Sequence, residues 1–140
     1  MNILLAVDGS SYTKKMLAWL ATHDEWLSAP HTFTVLTVAT PIPPHAASMF
    51  SSDDLKAYYE SAAEDVFKPI RKFMAKHDLS TRFVSKVGHA GETIAKLADK
   101  EKVDLVMMGS HGHGALMSLV AGSVATQVMA RCKAPVLLVR

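Results

Sequence analysis

One cysteine in 140 residues leaves no partner for an internal disulfide. No apolar stretch approaches the ~20 residues that a membrane-spanning helix needs. Charge is nearly balanced, with 15 Lys and Arg against 13 Asp and Glu for a formal +2. No basic stripe interleaved with aromatics is present, so a polymeric nucleic acid is not an expected partner despite a pI near 8.7. The start, Met1-Asn2-Ile3-Leu4-Leu5-Ala6-Val7-Asp8, has no basic residues ahead of its apolar run, and that run is too short for a secretory signal. These absences predict a cytoplasmic protein with no membrane and no nucleic-acid partner. The P-loop pattern G-x4-G-K-[ST] is missing as well, and no arginine finger or water-positioning base stands out.

What is present alternates. Ile3 to Val7 is a short continuous apolar run, the pattern of a central parallel strand covered on both faces. Asp8-Gly9-Ser10-Ser11 ends it and supplies a capping hydroxyl for a helix through Lys14, Met16, Leu17 and Leu20. Thr32 to Val38 is rich in β-branched residues and reads as a second strand. Pro41, Pro43 and Pro44 predict a loop to about Ser52. Ser51 with Asp54 three residues on marks the start of a long helix, with Pro69 predicting a kink or break near Lys68. Thr81 to Val87 alternates as a half-solvated edge strand does. A helix with Ile94, Leu97 and Ala98 inward follows, then apolar runs at Val103–Met108 and Ala134–Arg140 on either side of a last helix. Strand and helix alternate without repeat, linker or composition shift. That predicts one α/β domain over residues 1–140, built on an open parallel five-stranded sheet.

The segment richest in chemistry is Gly109-Ser110-His111-Gly112, with Gly122-Ser123 nine residues beyond Gly112. It follows an apolar strand and leads into a helical pattern at Val124. Glycine permits φ > 0 and brings main-chain N–H groups close to a ligand, and a helix start favours an anion. The segment reads as a cradle for nucleotide phosphates. The plainer alternatives are an αL turn with a helix cap for the glycines, and a helix cap for Asp8. His111 and His113, two residues apart, supply too few ligands for a metal site. The apolar Leu116, Met117, Leu119 and Val120 are expected to pack on the fold, against a partner, or as a lid. Cys132 is in register with Val124 and Val128 and reads as a buried, inert thiol.

Together these residues resemble the universal stress protein family across the whole chain. The resemblance rests on Ile3–Asp8, Val35–Val38, Gly88-His89-Ala90-Gly91-Glu92-Thr93-Ile94, Asp104–Gly112 and Ala134–Val139. G-x2-G-x9-G-[ST], from Gly109 to Ser123, is similar to the motif of that family's ATP-binding branch. The resemblance implies strand order 3-2-1-4-5, with helices on both faces and a ligand crevice between the first and fourth strands. It implies an adenine nucleotide, ATP with Mg²⁺ above all. Val38, Ala39 and Met108 would line the adenine side. Asp8 would hold a ribose hydroxyl or the Mg²⁺. Gly109 and Gly112, in a turn shared with His111, would admit ribose and phosphates, and Gly122, Ser123 and Val124 would donate N–H groups. It also implies a homodimer through the edge strand Val136–Val139. The expected function is a nucleotide-dependent binding module or switch in the stress response. A slow Mg²⁺-dependent ATPase is the alternative.

Overall fold

The computed structural model describes residues 1–114 and 120–140. Five parallel strands form one sheet: β1 (Asn2–Ala6), β2 (Thr32–Ala39), β3 (Ser80–Val87), β4 (Leu105–Gly109) and β5 (Val136–Val139). Their order is β3-β2-β1-β4-β5, as the resemblance implies. The helices are α1 (Ser11–Ala21), α2 (Asp24–Ser28), α3 (Pro44–Ala47), α4 (Ser52–Lys76), α5 (Ala90–Glu101) and α6 (Ser123–Arg131). None of them is long and apolar enough to cross a membrane.

Alternation along the buried strands divides the core in two, because successive side chains leave opposite faces of a sheet. Ile3, Leu5 and Val7 join Phe33, Val35 and Met107 beneath α1 and α4. Leu4 and Ala6 join Leu36, Val106 and Met108 beneath α5 and α6. The first two strand-to-strand connections carry the chain over one face, and the last two over the other. Winding therefore reverses between β1 and β4, which are paired from Ile3↔Leu105 to Ala6↔Met108. In open α/β sheets, that reversal leaves a crevice beyond the strands' C-terminal ends.

Several boundaries differ from the sequence-based expectation. The break at Pro69 does not occur; α4 is a single helix of 25 residues. Proline deletes one backbone bond there, but Ala63, Phe67, Ile70 and Met74 are buried on both sides of it and hold both halves to the sheet. Within the expected proline loop, Pro44 opens the one-turn helix α3, where a missing N–H and a fixed φ suit a first helical position. Neither α3 nor the five-residue α2 is long enough to show a period. β4 begins at Leu105 rather than Val103. Lys102 ends α5 at φ +50°, and Asp104 exchanges bonds with Asn2: its N–H donates to Asn2 O at 2.8 Å, and its Oδ2 accepts from Asn2 N–H at 2.6 Å.

The two serine caps behave differently. Ser51 accepts the Asp54 N–H at 3.0 Å, as expected. Ser10 stands at the N-cap of α1, but its side chain makes no capping bond, and its buried hydroxyl has no partner among the described residues. Asp8 accepts the Ser10 N–H instead. In urea unfolding, Ser51→Ala is expected to lose about 1 kcal/mol. Ser10→Ala is expected to be neutral or stabilising, since it removes an unsatisfied buried group. Equal losses at both sites would contradict this difference.

Candidate nucleotide-binding site

Asp8 follows directly on β1 and Val7, and Gly9 turns the chain at φ +76°, a conformation that favours glycine. The turn folds the Asp8 carboxylate back onto the start of α1. Oδ1 accepts the Ser10 N–H at 2.9 Å and the Thr13 hydroxyl at 3.0 Å. Thr13 Oγ1 in turn accepts the Asp8 N–H at 3.2 Å. The His113 ring donates from Nε2 to Asp8 O at 2.9 Å. Each polar atom of Asp8 except Oδ2 thus has a partner within the protein.

Gly109, Gly112 and Gly122 work differently from the φ > 0 expectation. The glycines at positive φ are Gly9, Gly88 and Gly114; Gly122 has φ −71°. What Gly109, Gly112 and Gly122 allow is close approach within the protein. A Cβ on Gly109 would stand 2.5 Å from Tyr12 Cβ, and one on Gly112 would stand 2.6 Å from Asp8 Oδ2. One on Gly122 would meet His111 Cα at 3.2 Å. The Gly122 N–H, expected as a phosphate donor, is given to Ser110 O at 2.7 Å in this structure. That bond and Ser110 N–H to Val139 O at 2.8 Å pin the turn after β4.

These contacts frame a cavity of about 440 Å³ beyond β1 and β4, within the range usual for small-molecule sites. Asp8, Val38, Met108, Gly109, His111, Gly112, Gly122, Ser123 and Val124 all line it. Ala39 does not; one residue past Val38, it faces the other side of the sheet. The N–H groups of Ser123, Val124 and Ala125 precede the first intrahelical donor of α6, Thr126, which bonds Gly122 O at 3.0 Å. They are the unpaired donors of a helix start. The cavity thus has an apolar wall at Val38, Leu36, Ile94 and Met108, the Asp8 carboxylate, and a helix N-terminus.

Thr13, absent from the residues expected at the site, is 5% exposed and lines the cavity. Its signal was a hydroxyl residue five positions after Asp8, masked by its place on the buried side of an amphipathic helix. His111 Nδ1 lies 2.9 Å from Ser110 Oγ, and its ring is 5.1 Å from that of Tyr12. Among the described residues, no group of three or more His, Cys, Asp or Glu side chains could hold a metal ion. A carboxylate oxygen with no partner among the described residues, as Asp8 Oδ2 is, does match what Mg²⁺ commonly takes from a protein when phosphates supply further ligands. Cys132 caps α6 at its C-terminus, half-buried against the second core, and burial pushes its thiol pKa up, consistent with an inert role. Leu116, Met117 and Leu119 lie outside the described residues; Val120 is 78% exposed.

Known proteins share this architecture and sequence. A universal stress protein of Thermus aquaticus is 33% identical over 140 residues, spanning 99% of this chain and 98% of its own. Universal stress protein Slr1230 of Synechocystis is 27% identical over 99% of this chain, which spans only 42% of that relative's length. The solved structure of MJ0577, a universal stress protein of Methanocaldococcus jannaschii, superposes with TM-score 0.82 at 25% identity, covering 99% and 94% of the two chains. Two more distant structures share the fold. One is an Arabidopsis thaliana family protein with AMP bound (TM-score 0.71, 12% identity, 99% and 90% covered). The other is the Archaeoglobus fulgidus universal stress protein in complex with dAMP (TM-score 0.65, 18% identity, 100% and 98% covered). The profile of the universal stress protein family matches residues 1–140, and the chain belongs to that family.

Proposed function

We propose that this chain is an ATP-binding universal stress protein of the cytoplasm, acting as a nucleotide-dependent binding module or switch in the stress response. The observation that carries the reading is the meeting of Asp8, the Val38–Met108 wall and the α6 N-terminus in one cavity. The AMP and dAMP bound to proteins of the same fold are consistent with it. Adenine rests on Val38 and Met108. Asp8 Oδ2 takes a ribose hydroxyl or the Mg²⁺ of Mg–ATP. The phosphates lie at the first N–H groups of α6 and the Ser123 hydroxyl. A helix terminus contributes roughly 0.3–1 kcal/mol per anionic group, whereas micromolar binding needs about 8 kcal/mol. Base and sugar contacts therefore supply most of the affinity. Nucleotide that bridges Asp8 and α6 tethers both ends of the segment from Gly109 to Gly122 and alters the surface shown to partners.

Slow hydrolysis is the second reading, favoured by the free Oδ2 that suits Mg²⁺. Calorimetric titration with Mg–ATP is expected to show saturable heat. Asp8→Ala and Gly112→Ala are each expected to weaken binding about ten-fold or more, Gly112→Ala because its methyl displaces Oδ2. Phosphate release from the purified parent is expected to equal that from Asp8→Ala. Release well above that control makes the protein an ATPase, and absence of heat with the parent overturns nucleotide binding.

The same reading includes a homodimer through β5. The two sheet edges differ: β3 carries Arg82 and Lys86, whereas β5 is Val136-Leu137-Leu138-Val139 with no charge. Charge on an edge discourages strand addition, and an apolar edge invites a mate. Light scattering at micromolar concentration is expected to give twice the 15.2 kDa chain mass; a monomer would contradict the pairing.

A further inference from the structure

We infer that Thr13 is a positioning residue for the ligand-binding carboxylate: it fixes Asp8 so that Oδ2 alone is presented to the cavity. The inference rests on the proposed nucleotide reading of that cavity. A carboxylate on a bare turn can rotate and share a ligand between both oxygens. Asp8 does not have that freedom. A carboxylate oxygen has about two acceptor positions, and those of Oδ1 are occupied by the Ser10 N–H at 2.9 Å and the Thr13 hydroxyl at 3.0 Å. The same hydroxyl oxygen accepts the Asp8 N–H at 3.2 Å, so one buried side chain holds both the backbone and the carboxylate of Asp8.

The arrangement has a direction. With Thr13 behind Oδ1 and Gly112 in front of Oδ2, the carboxylate is held from one side and given room on the other. No donor among the described residues reaches Oδ2. Thr13 itself lines the same cavity while only 5% exposed. The consequence for recognition is that Asp8 engages a sugar hydroxyl or a cation through one oxygen already aimed, with its rotamer settled before the ligand arrives. Preorganisation of this kind raises affinity by lowering the ordering cost of binding.

The test compares Thr13→Val, which keeps the shape and removes the hydroxyl, with Thr13→Ser, which keeps the hydroxyl. Thr13→Ala is run beside Thr13→Val as a hydroxyl deletion that adds no bulk. Mg–ATP binding by calorimetry is expected to weaken about ten-fold in the valine and alanine variants and to stay within about two-fold of the parent in the serine variant. Hydrogen exchange at the Ser10 amide, followed by NMR without ligand, is expected to quicken in the hydroxyl deletions and not in Thr13→Ser. Parental affinity in both deletions overturns the proposal, as does a serine variant as weak as they are, which would make Thr13 a packing residue. A parent that binds no adenine nucleotide removes the functional reading instead. Ser10 exchange then decides by itself whether Thr13 holds Asp8.

Discussion

The close contact between the end of β4 and the first turn of α1 is the constraint on which the site depends. Gly109 lies where a single methyl group would strike Tyr12, and Gly112 where one would strike the Asp8 carboxylate. Packing interiors leave no slack for an added Cβ at such distances. Because no Cβ intervenes, residues about a hundred positions apart share one wall of a cavity. His113, next to Gly112, adds to the same seam, bonded to the Asp8 carbonyl. The glycine motif therefore joins two strand ends before it meets any ligand.

The sheet makes that seam possible. β1 lies between β2 and β4, its side chains divided between two cores, and chain direction over the sheet reverses beside it. Val38 and Met108 arrive on the α5–α6 side, and the first residues of α6, Ser123 and Val124, line the same cavity. An apolar surface, a carboxylate and the first N–H groups of a helix thus converge on one cavity. The unpartnered Ser10 hydroxyl shows where this construction is imperfect: the cap position is filled, but Asp8 performs the local bonding.

Much of the fold was legible because burial leaves a plain record in composition. Strands covered on both faces, such as Ile3–Val7, are continuous apolar runs, and Thr81–Val87 alternates because it lies at an edge. Ser51 with Asp54 predicted its own cap. Short or overridden features were not legible. α2 and α3 are shorter than the window in which a helical period shows, and Pro69 is carried within α4 by apolar contacts the local rule does not count. Cys132 falls just outside the helix whose register it shares.

For the site, the sequence by itself determined the residue types and their spacing: an acid after the first strand, glycines after the fourth, a serine opening the last helix, and the family these identify. Those are local facts, written in turn chemistry and hydrophobic runs. Only the tertiary structure decided their division of labour. Gly109 and Gly112 make room for Tyr12 and Asp8, Gly122 spends its N–H on Ser110, Ala39 turns away, and Thr13 takes hold of Asp8. The reason is physical: whether a donor is free, or a glycine indispensable, depends on what another segment places against it, and spacing along one strand of chain carries no record of that distance.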